Sequence, residues 1–303
     1  MNRRGIAPIA GLSGMRGTVE MGDGEWALRR DRMKKVYINR QWQGGADPVT
    51  WEGAEEIADF YLAGQHYVDL PVSTDEAEMA VKKNGIRSFD VLRGQMRSAY
   101  ERLRADAPDK LFTLGGGCDA DVPAIVSLSE KYHGNLALIW LDAHGDLNAP
   151  EASTSSLFYG MPLRSVMDNQ CFGLLENPIP VNASQVIHIG GRDFDDAERT
   201  FIGETGMISL TVQDIRSDDN LICRMVDGIQ SDHIYIHLDL DVLDPSCLPN
   251  TPLPVGGGLH CEEAWNTLYA FADRLVGLGV FEYAPAGSQN AFMKKLVQFG
   301  LAL

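Results

Sequence analysis

Residues 136–148 read LALIWLDAHGDLN, six apolar residues followed at once by polar and charged ones. An apolar run of this length, without polar residues at alternate positions, is typical of a strand covered on both faces. Asp142, His144 and Asp146 follow at alternate positions, so an extended chain would point all three side chains the same way. Because ligands collect beyond the carboxyl ends of strands in open parallel sheets, this stretch predicts a parallel sheet and the edge that carries its chemistry.

Similar apolar runs recur along the chain and alternate with helical stretches. The predicted strands are 34–39, 111–116, 186–191, 207–212, 233–241 and 275–284, and the predicted helices are 88–105, 121–132, 220–229, 262–275 and 289–301. This alternation is typical of α/β proteins with a parallel sheet. No Pro/Ser-rich linker divides the chain, so we expect one α/β domain at residues 34–303, preceded by an N-terminal extension at residues 1–33.

The composition narrows the class of protein. The net charge of −16, from 42 acidic and 26 basic residues, argues against nucleic acid or an anionic membrane as partner. No apolar run approaches the roughly 20 residues of a membrane span, and the N-terminus lacks a signal-peptide pattern. The cysteines are odd in number and show no CxxC spacing, so we expect free thiols and a cytoplasmic protein. They are Cys118, Cys171, Cys223, Cys247 and Cys261.

Acidic residues also follow two other predicted strands. Asp239 and Asp241 follow an apolar run in HIYIHLDLDVLDP (residues 233–245), and Glu282 follows the run at 275–281. Two carboxylates at i and i+2 on a hydrophobic strand end raise each other's pKa unless a cation lies between them. Asp244, before Pro245, is expected to cap the turn.

These groups, with Cys118 in LGGGCDADVP (residues 114–123), predict a site for divalent cations. The alternative for residues 142–146 is a polar loop with a helix-capping Asp, but like charges packed there without a cation are costly. Carboxylate-rich sites with one His favour ions such as Mn²⁺. Two bridged ions would activate a hydroxide towards an electrophilic carbon, which is the design of a hydrolase.

Three of these motifs resemble those of the arginase (ureohydrolase) family. DAHGDLN is similar to the family's DAHxDxN, HLDLDVLDP to its SxDxDxxDP, and LGGGCDADVP to its GGxHxxxxP, in the same order along the chain from about Lys34. The resemblance implies a three-layer α/β/α fold with a mainly parallel eight-stranded sheet. It also implies two Mn²⁺ ions per subunit, a trimer or hexamer, and hydrolysis of a guanidinium by a metal-bridging hydroxide.

The resemblance also assigns metal ligands by position. Asp142 and Asp239 would bridge the two ions, Asp146 and Cys118 would complete the shell of one, and His144 and Asp241 that of the other.

Three residues match catalytic positions of the family. Asp146 would pass a proton from the attacking water towards the leaving amine, and Glu282 would hold the guanidinium. Tyr159 stands where arginases have a His that is proposed to shuttle protons or contact the substrate. A phenol with a pKa of about 10 cannot replace that function at neutral pH.

The substrate is predicted from two loops. APEASTSSLFYGMPL aligns with the arginase loop that reads the amino-acid end of arginine, and GGRDFDDAE resembles the arginase GLRDVDPGE. The implied contacts are Asn148, Ser153 and Ser155 for the α-carboxylate, and Asp195 and Glu198 for the α-amino group. The alternatives are a flexible polar loop for the two serines and a plain surface acid for Asp195. Because agmatine has no carboxylate, the loop favours a guanidino amino acid as substrate.

Cys118 stands where the family has a metal-binding His. It could be a thiolate ligand that weakens Mn²⁺ binding or admits a softer metal, a neutral thiol that fills space, or a nucleophile. The replacement is similar to that in Nω-hydroxy-L-arginine amidinohydrolase. We therefore expect hydrolysis of L-arginine or Nω-hydroxy-L-arginine to L-ornithine and urea or hydroxyurea.

Some alternatives remain open at the level of sequence. One is a hydrolase of another guanidino or formimino compound, as in agmatinases, and another is an arginase-like binding protein without turnover. His188 and His237 lie within apolar strands and are expected to be core residues. The glycines at 115–117 and 256–258 lack the P-loop and Rossmann signatures, and we expect tight turns that let the backbone approach the site.

Overall fold

Eight strands form one sheet in which every pairing is parallel. The computed structural model describes residues 34–74 and 81–303, and the predicted extension at residues 1–33 lies outside the described residues. The strands, in chain order, are β1 (Lys34–Asn39), β2 (Val68–Leu70), β3 (Lys82–Lys83), β4 (Ile86–Arg87), β5 (Lys110–Gly115), β6 (Leu136–Leu141), β7 (Val186–Ile189), β8 (Ile208–Leu210), β9 (His233–Asp239) and β10 (Leu275–Phe281). The order across the large sheet is β2-β1-β5-β10-β9-β6-β7-β8, while β3 and β4 form a separate antiparallel pair.

Helices connect most of these strands. Those of the described residues are α1 (Val49–Tyr61), α2 (Phe89–Asp106), α3 (Val122–Lys131), α4 (Pro162–Val166), α5 (Asp196–Thr205), α6 (Val212–Ser217), α7 (Leu221–Gly228), α8 (Cys261–Ala270) and α9 (Ala291–Ala302). Within the described ranges, none of them has both the length and the apolar character that a membrane crossing needs.

The sheet is the middle layer of three. All six residues of β6 are buried, because alternate side chains enter separate cores on the two faces. Leu138 and Trp140 belong to the core that includes α2 and α3, whereas Ile139 and Leu141 belong to the core that includes α1, α8 and α9. The predicted three-layer α/β/α fold with an eight-stranded parallel sheet is confirmed.

The glycine turn at the end of β5 brings its backbone into close contact with the chain at the end of β1. A Cβ atom on Gly116 would lie 1.8 Å from the carbonyl oxygen of Gln41, and one on Gly115 would lie 2.1 Å from that of Asn39. Any side chain here would push the turn away from the sheet. The turn leads directly into a short 3-10 helix, Cys118–Asp121, and so fixes the position of Cys118.

Two sequence predictions are wrong. Cys247 and Cys261 form a disulfide, with Cα atoms 6.0 Å apart, whereas free thiols were expected. The long turn after β9 folds back through the bridge between Leu243 and Leu259, which brings the two cysteines together. The helix predicted at 262–275 ends at Ala270, a short 3-10 helix (Ala272–Arg274) follows it, and Leu275 already belongs to the central strand β10.

Candidate active site

The four central strands of the sheet, β5, β10, β9 and β6, end at one pocket. In a parallel sheet their carboxyl ends meet at the same edge, which is why groups far apart in sequence come together. The pocket is lined by most of the side chains predicted to bind metal and by Glu282. They are Cys118, His144, Asp146, Asp239 and Asp241.

Hydrogen bonds join the loops after β6 and β9. The Nδ1 atom of His144 lies 2.8 Å from Oδ2 of Asp241, and 3.6 Å from Oδ1 of Asp142. Asp239 accepts a hydrogen bond from the backbone N–H of Asp241 at 2.8 Å, and the Trp140 indole N–H donates to Asp142 at 2.9 Å. The carboxylates are therefore held in place by the backbone and by neighbouring side chains.

The buried carboxyl groups crowd one another in a way that suits cations. Burial and the charge of Asp241 hold the pKa of Asp239 well above its usual range, and burial and the charge of Asp142 do the same for Asp146. Oδ2 of Asp146 is buried without a hydrogen-bond partner among the described residues. Divalent cations would relieve this repulsion and give the unpartnered oxygen a ligand role.

Ligand-type atoms gather in sets small enough to surround an ion. Atoms of Asp142, His144 and Asp241 lie within 4.8 Å of one another, as do atoms of Cys118, Asp239 and Glu282. The donor chemistry of the residues present therefore fits a centre that holds two divalent cations.

Cys118 lies among acids and is almost fully buried. Its Sγ atom is 3.1 Å from Oδ2 of Asp239, and its backbone N–H donates to Oε1 of Glu282 at 2.9 Å. Burial and the charge of Asp239 hold the pKa of the thiol well above its usual range. A bound cation would reverse this direction, because a coordinated thiol loses its proton.

Two of the acids have strained backbone. Asp146 and Glu282 have φ angles of 55° and 58°, in the left-handed region that side chains other than glycine seldom adopt. Such a conformation costs on the order of 1–3 kcal/mol, and strain of this kind collects at functional sites. Burial raises the pKa of Glu282 to about 8, against the hydrogen bond from Cys118 and with the help of the nearby charge of Asp119.

Comparison with known proteins identifies the family. The sequence model described as "Arginase family" matches residues 54–298, which is most of the chain. The chain belongs to the arginase family. It is 34% identical to an arginase of Staphylococcus aureus (strain MRSA252) over 209 residues, which cover 65% of this chain and 68% of that protein. It is 31% identical to an arginase of Bacillus subtilis (strain 168) over 218 residues, covering 69% and 72%. The chain is therefore an arginase-family hydrolase of the kind that acts on amidines.

A solved structure shows the same fold. The crystal structure of Entamoeba histolytica arginase in complex with L-ornithine superposes with a TM-score of 0.76, at 18% identity, and the match covers 89% of this chain and 96% of that one. At this identity the likeness concerns the fold, and it agrees with the eight-stranded sheet described above.

A second pocket adjoins the first and shares His144, Asp146 and Tyr159 with it. The two together form a cleft that leads from the acids to the loops at residues 148–160 and 193–198. All five residues predicted to read the amino-acid end of the substrate line the second pocket: Asn148, Ser153, Ser155, Asp195 and Glu198. The structure thus brings these residues together, and their contact with a substrate remains a prediction.

The residues of this cleft differ in how free they are to bind. Ser153 and Ser155 each accept a backbone hydrogen bond within their own loop, at 3.0 and 3.2 Å. The Asn148 amide donates to Asp195 at 2.7 Å and joins the two loops. Both carboxylate oxygens of Glu198 accept backbone N–H groups, one from Leu147 at 2.9 Å and one from Asp195 at 2.8 Å. Glu198 therefore holds the two loops together, and Asp195 and Asp193 are exposed acids that line the cleft.

Sequence reasoning missed two residues beside Cys118. His237, expected to be an ordinary core residue, has its Nε2 atom 3.2 Å from Cys118 Sγ. Asp119 is fully buried next to Glu282, and burial raises its pKa to about 7 against a hydrogen bond from Gln41. The alignment that placed Cys118 could have drawn attention to His237, because it occupies the Ser position of the family's SxDxDxxDP.

Proposed function

We propose that the chain hydrolyses the guanidino group of L-arginine or of Nω-hydroxy-L-arginine. The products are L-ornithine and urea from the first substrate, or L-ornithine and hydroxyurea from the second. The observation that carries this proposal is the cleft itself. It connects a cluster of buried acids at the carboxyl edge of the sheet with polar groups suited to an α-amino acid.

The metal centre is part of the proposal. The residues that would hold the two cations are Cys118, Asp142, His144, Asp146, Asp239 and Asp241. When two divalent cations such as Mn²⁺ are bound, they lower the pKa of water and so supply a nucleophile at neutral pH.

The chain's own residues account for binding and proton transfer. The carboxyl group of Glu282 lies at the pocket wall, where the positive charge of a bound guanidinium would lower its raised pKa. The resulting carboxylate pairs with the guanidinium and orients its central carbon. As water adds to that carbon, the unpartnered oxygen of Asp146 takes the proton. Asp146 then passes this proton to the guanidino nitrogen that carries the side chain, and the bond between that nitrogen and the central carbon breaks. The second proton of the water leaves the oxygen of urea for solution, and the neutral amine of L-ornithine takes up a proton there.

The α-amino and α-carboxylate groups of the substrate would bind about one side chain's length from the guanidino group. The carboxylate of Asp195 suits an ammonium group, and Asn148 and the two serines offer neutral hydrogen-bonding groups for a carboxylate. Tyr159 lies between the two pockets and contributes its ring and hydroxyl as wall. Burial raises the pKa of Tyr159 above its usual range, so it does not shuttle protons at neutral pH.

The test measures metal content and product release in the same preparation. The purified chain is loaded with Mn²⁺, and release of urea or hydroxyurea is followed with L-arginine, Nω-hydroxy-L-arginine and agmatine. We expect two metal ions per chain and turnover of at least one of the two amino acids, with agmatine a poor substrate.

Other outcomes select the alternatives. Turnover of agmatine in preference to both amino acids would favour an agmatinase-like enzyme. Two bound ions without product from any of the three compounds would favour a binding protein.

A further inference from the structure

His237 extends towards the candidate metal centre from the end of β9. Its ring is fully buried, its Nε2 atom lies 3.2 Å from Cys118 Sγ, and its Nδ1 atom lies 2.8 Å from Oδ2 of Asp121. The family's motif has Ser at this position and His at the position of Cys118. Compared with the family's motifs, this chain therefore lacks the imidazole in the turn after β5, where Cys118 stands. It has one instead on β9, at His237, and the end of β9 meets that turn.

The imidazole is fixed in orientation. It stacks on the Trp140 ring with centroids 3.6 Å apart and planes 11° apart, and lies parallel to the Phe281 ring at 5.4 Å. Asp121 is itself held by hydrogen bonds from the hydroxyl groups of Thr113 and Tyr235. Because aromatic rings pack on both faces of the imidazole and Asp121 holds Nδ1, only Nε2 can face the site.

The sheet makes room for this pair. Gly279 lies opposite His237 on β10, and a Cβ atom there would lie 2.4 Å from Oδ2 of Asp121. Because a carboxylate oxygen accepts, Nδ1 is the donor of this pair, and Nε2 is the ring atom that meets Cys118. Metal-binding histidines commonly donate their second ring N–H to a carboxylate in this way, which fixes the ring and raises its basicity.

Other donors surround the same point. Atoms of Cys118, Asp142 and His237 lie within 4.8 Å of one another, and Oδ2 of Asp239 is 3.1 Å from Cys118 Sγ. One sulfur, one nitrogen and carboxylate oxygens are a softer donor set than an all-oxygen and imidazole site. Such a set favours borderline cations such as Zn²⁺ or Co²⁺ over Mn²⁺.

We propose that His237 is a metal ligand that acts together with Cys118, so that one of the two cation sites is an N/S site selective for a borderline metal. This inference rests on the metal centre of the proposed function. The alternative is that the Cys118 thiol only forms a hydrogen bond with His237. That alternative also explains the 3.2 Å between Nε2 and Sγ, but in it the imidazole forms no bond to a bound ion.

X-ray absorption distinguishes the two without altering His237. The full chain carrying His144→Asn is loaded with one equivalent of Zn²⁺, so that His144 cannot supply the imidazole signal. We expect one Zn–S distance of about 2.3 Å and one imidazole at about 2.0–2.1 Å. A spectrum with sulfur but without imidazole would overturn the inference, and loss of the sulfur distance with Cys118→Ser would confirm its source.

Affinity supplies a second readout, with a matched control. The control is His188, which is fully buried like His237 and lies opposite Trp140 on the other neighbouring strand. Its ring bonds to the backbone oxygen of His144 instead of contacting Cys118. His237→Asn should weaken binding at one of two Zn²⁺ sites by more than 100-fold, because loss of a supporting residue alone costs about 10–100-fold. His188→Asn should change the affinity of that site by less than 10-fold. Equal effects of the two substitutions would contradict a direct bond.

The same experiments separate this inference from the proposed function. Wild-type chain that binds no divalent ion would end both. Two bound ions with turnover, but with Mn²⁺ preferred over Zn²⁺ at both sites and no imidazole from His237, would end this inference alone.

Discussion

The Nδ1 atom of His144, in the loop after β6, lies 2.8 Å from Oδ2 of Asp241, in the loop after β9. This contact brings together parts of the chain that are almost 100 residues apart and surrounds them with further acids. In the absence of cations, the imidazole is the nearest positive partner that these acids have among the described residues. Bound cations should therefore stabilise the folded chain more than a typical surface ligand does.

The first prediction concerns metal removal. Chain treated with a chelator should melt about 10 °C lower than chain with Mn²⁺ at about 100 times its dissociation constant, since such binding contributes about 2.7 kcal/mol at each of the two proposed sites. Differential scanning calorimetry measures the shift. In Asp241→Asn the shift should shrink by more than half, while the metal-free variant melts no lower than metal-free wild type, because a repelling charge is gone. An equal shift in both proteins would contradict the site.

Glu282 supplies a second prediction. Glu282→Gln keeps an oxygen that can accept the hydrogen bond from the Cys118 backbone but removes the charge that pairs with a guanidinium. We expect kcat/KM to fall by about 100-fold or more, in the range seen when a preorganised electrostatic contact is lost. The melting temperature should change little, because the fold keeps its contact. A variant that retains wild-type kcat/KM would remove Glu282 from the proposed mechanism.

Asp195 tests how the substrate is read. Asp195→Ala removes the carboxylate at the far end of the cleft without touching the acid cluster. We expect KM for the preferred guanidino amino acid to rise by about 10–100-fold, the loss of about 1.4–2.8 kcal/mol of binding. Activity on 5-guanidinopentanoate, which lacks the amino group that Asp195 is proposed to bind, is the internal control, and kcat for the amino acid should stay within a few-fold. A fall in kcat with unchanged KM would assign Asp195 another role.

Packing at α9 can be tested with two glycines. A Cβ atom on Gly300 would lie 2.4 Å from the ring of Phe112, whereas one on Gly203, in α5, would meet no atom within 4 Å. Gly300→Ala should lower the free energy of unfolding by about 1–3 kcal/mol through overpacking. Gly203→Ala should raise it by up to about 1 kcal/mol, because alanine favours the helix. Chemical denaturation measures both, and the same sign for the two would contradict the packing described here.

The disulfide is tested by counting thiols. The sequence has five cysteines, and the structure pairs Cys247 with Cys261. Protein denatured without reductant should therefore titrate three thiols, and protein reduced first should titrate five. A value of five without reductant would restore the sequence prediction.

The central strands could be predicted from the sequence because burial on both faces leaves an unmistakable apolar run, as in β6 and β10. Helix α1 was missed, although Asp47 and Pro48 before it are a usual start signal and Asp47 accepts a hydrogen bond from the backbone N–H of Val49 at 3.0 Å. Such a helix is stabilised by the core that it covers, and that core is assembled from strands elsewhere in the chain.

The acid cluster could also be predicted, because acids directly after buried strands need a compensating charge. The contact between His237 and Cys118 could not be predicted, although the alignment places His237 at an unusual position. The local sequence around a histidine in an apolar strand is the same whether the ring packs in a core or contacts a reactive group. Here the contact that distinguishes the two is with the thiol of Cys118, 119 positions earlier. The pairing of Cys247 with Cys261 depends in the same way on a fold of the chain at Leu243 and Leu259.

In the cleft, the groups for bond cleavage and the groups for substrate binding lie on different parts of the chain, which affects how new substrate specificities arise. The groups assigned to bond cleavage are attached to the innermost strands, whereas those assigned to the amino-acid end belong to loops over the rim. Descendants of this chain can exchange, lengthen or shorten the rim while the machinery beneath it is left intact. A change of substrate can therefore arise from substitutions in these loops alone.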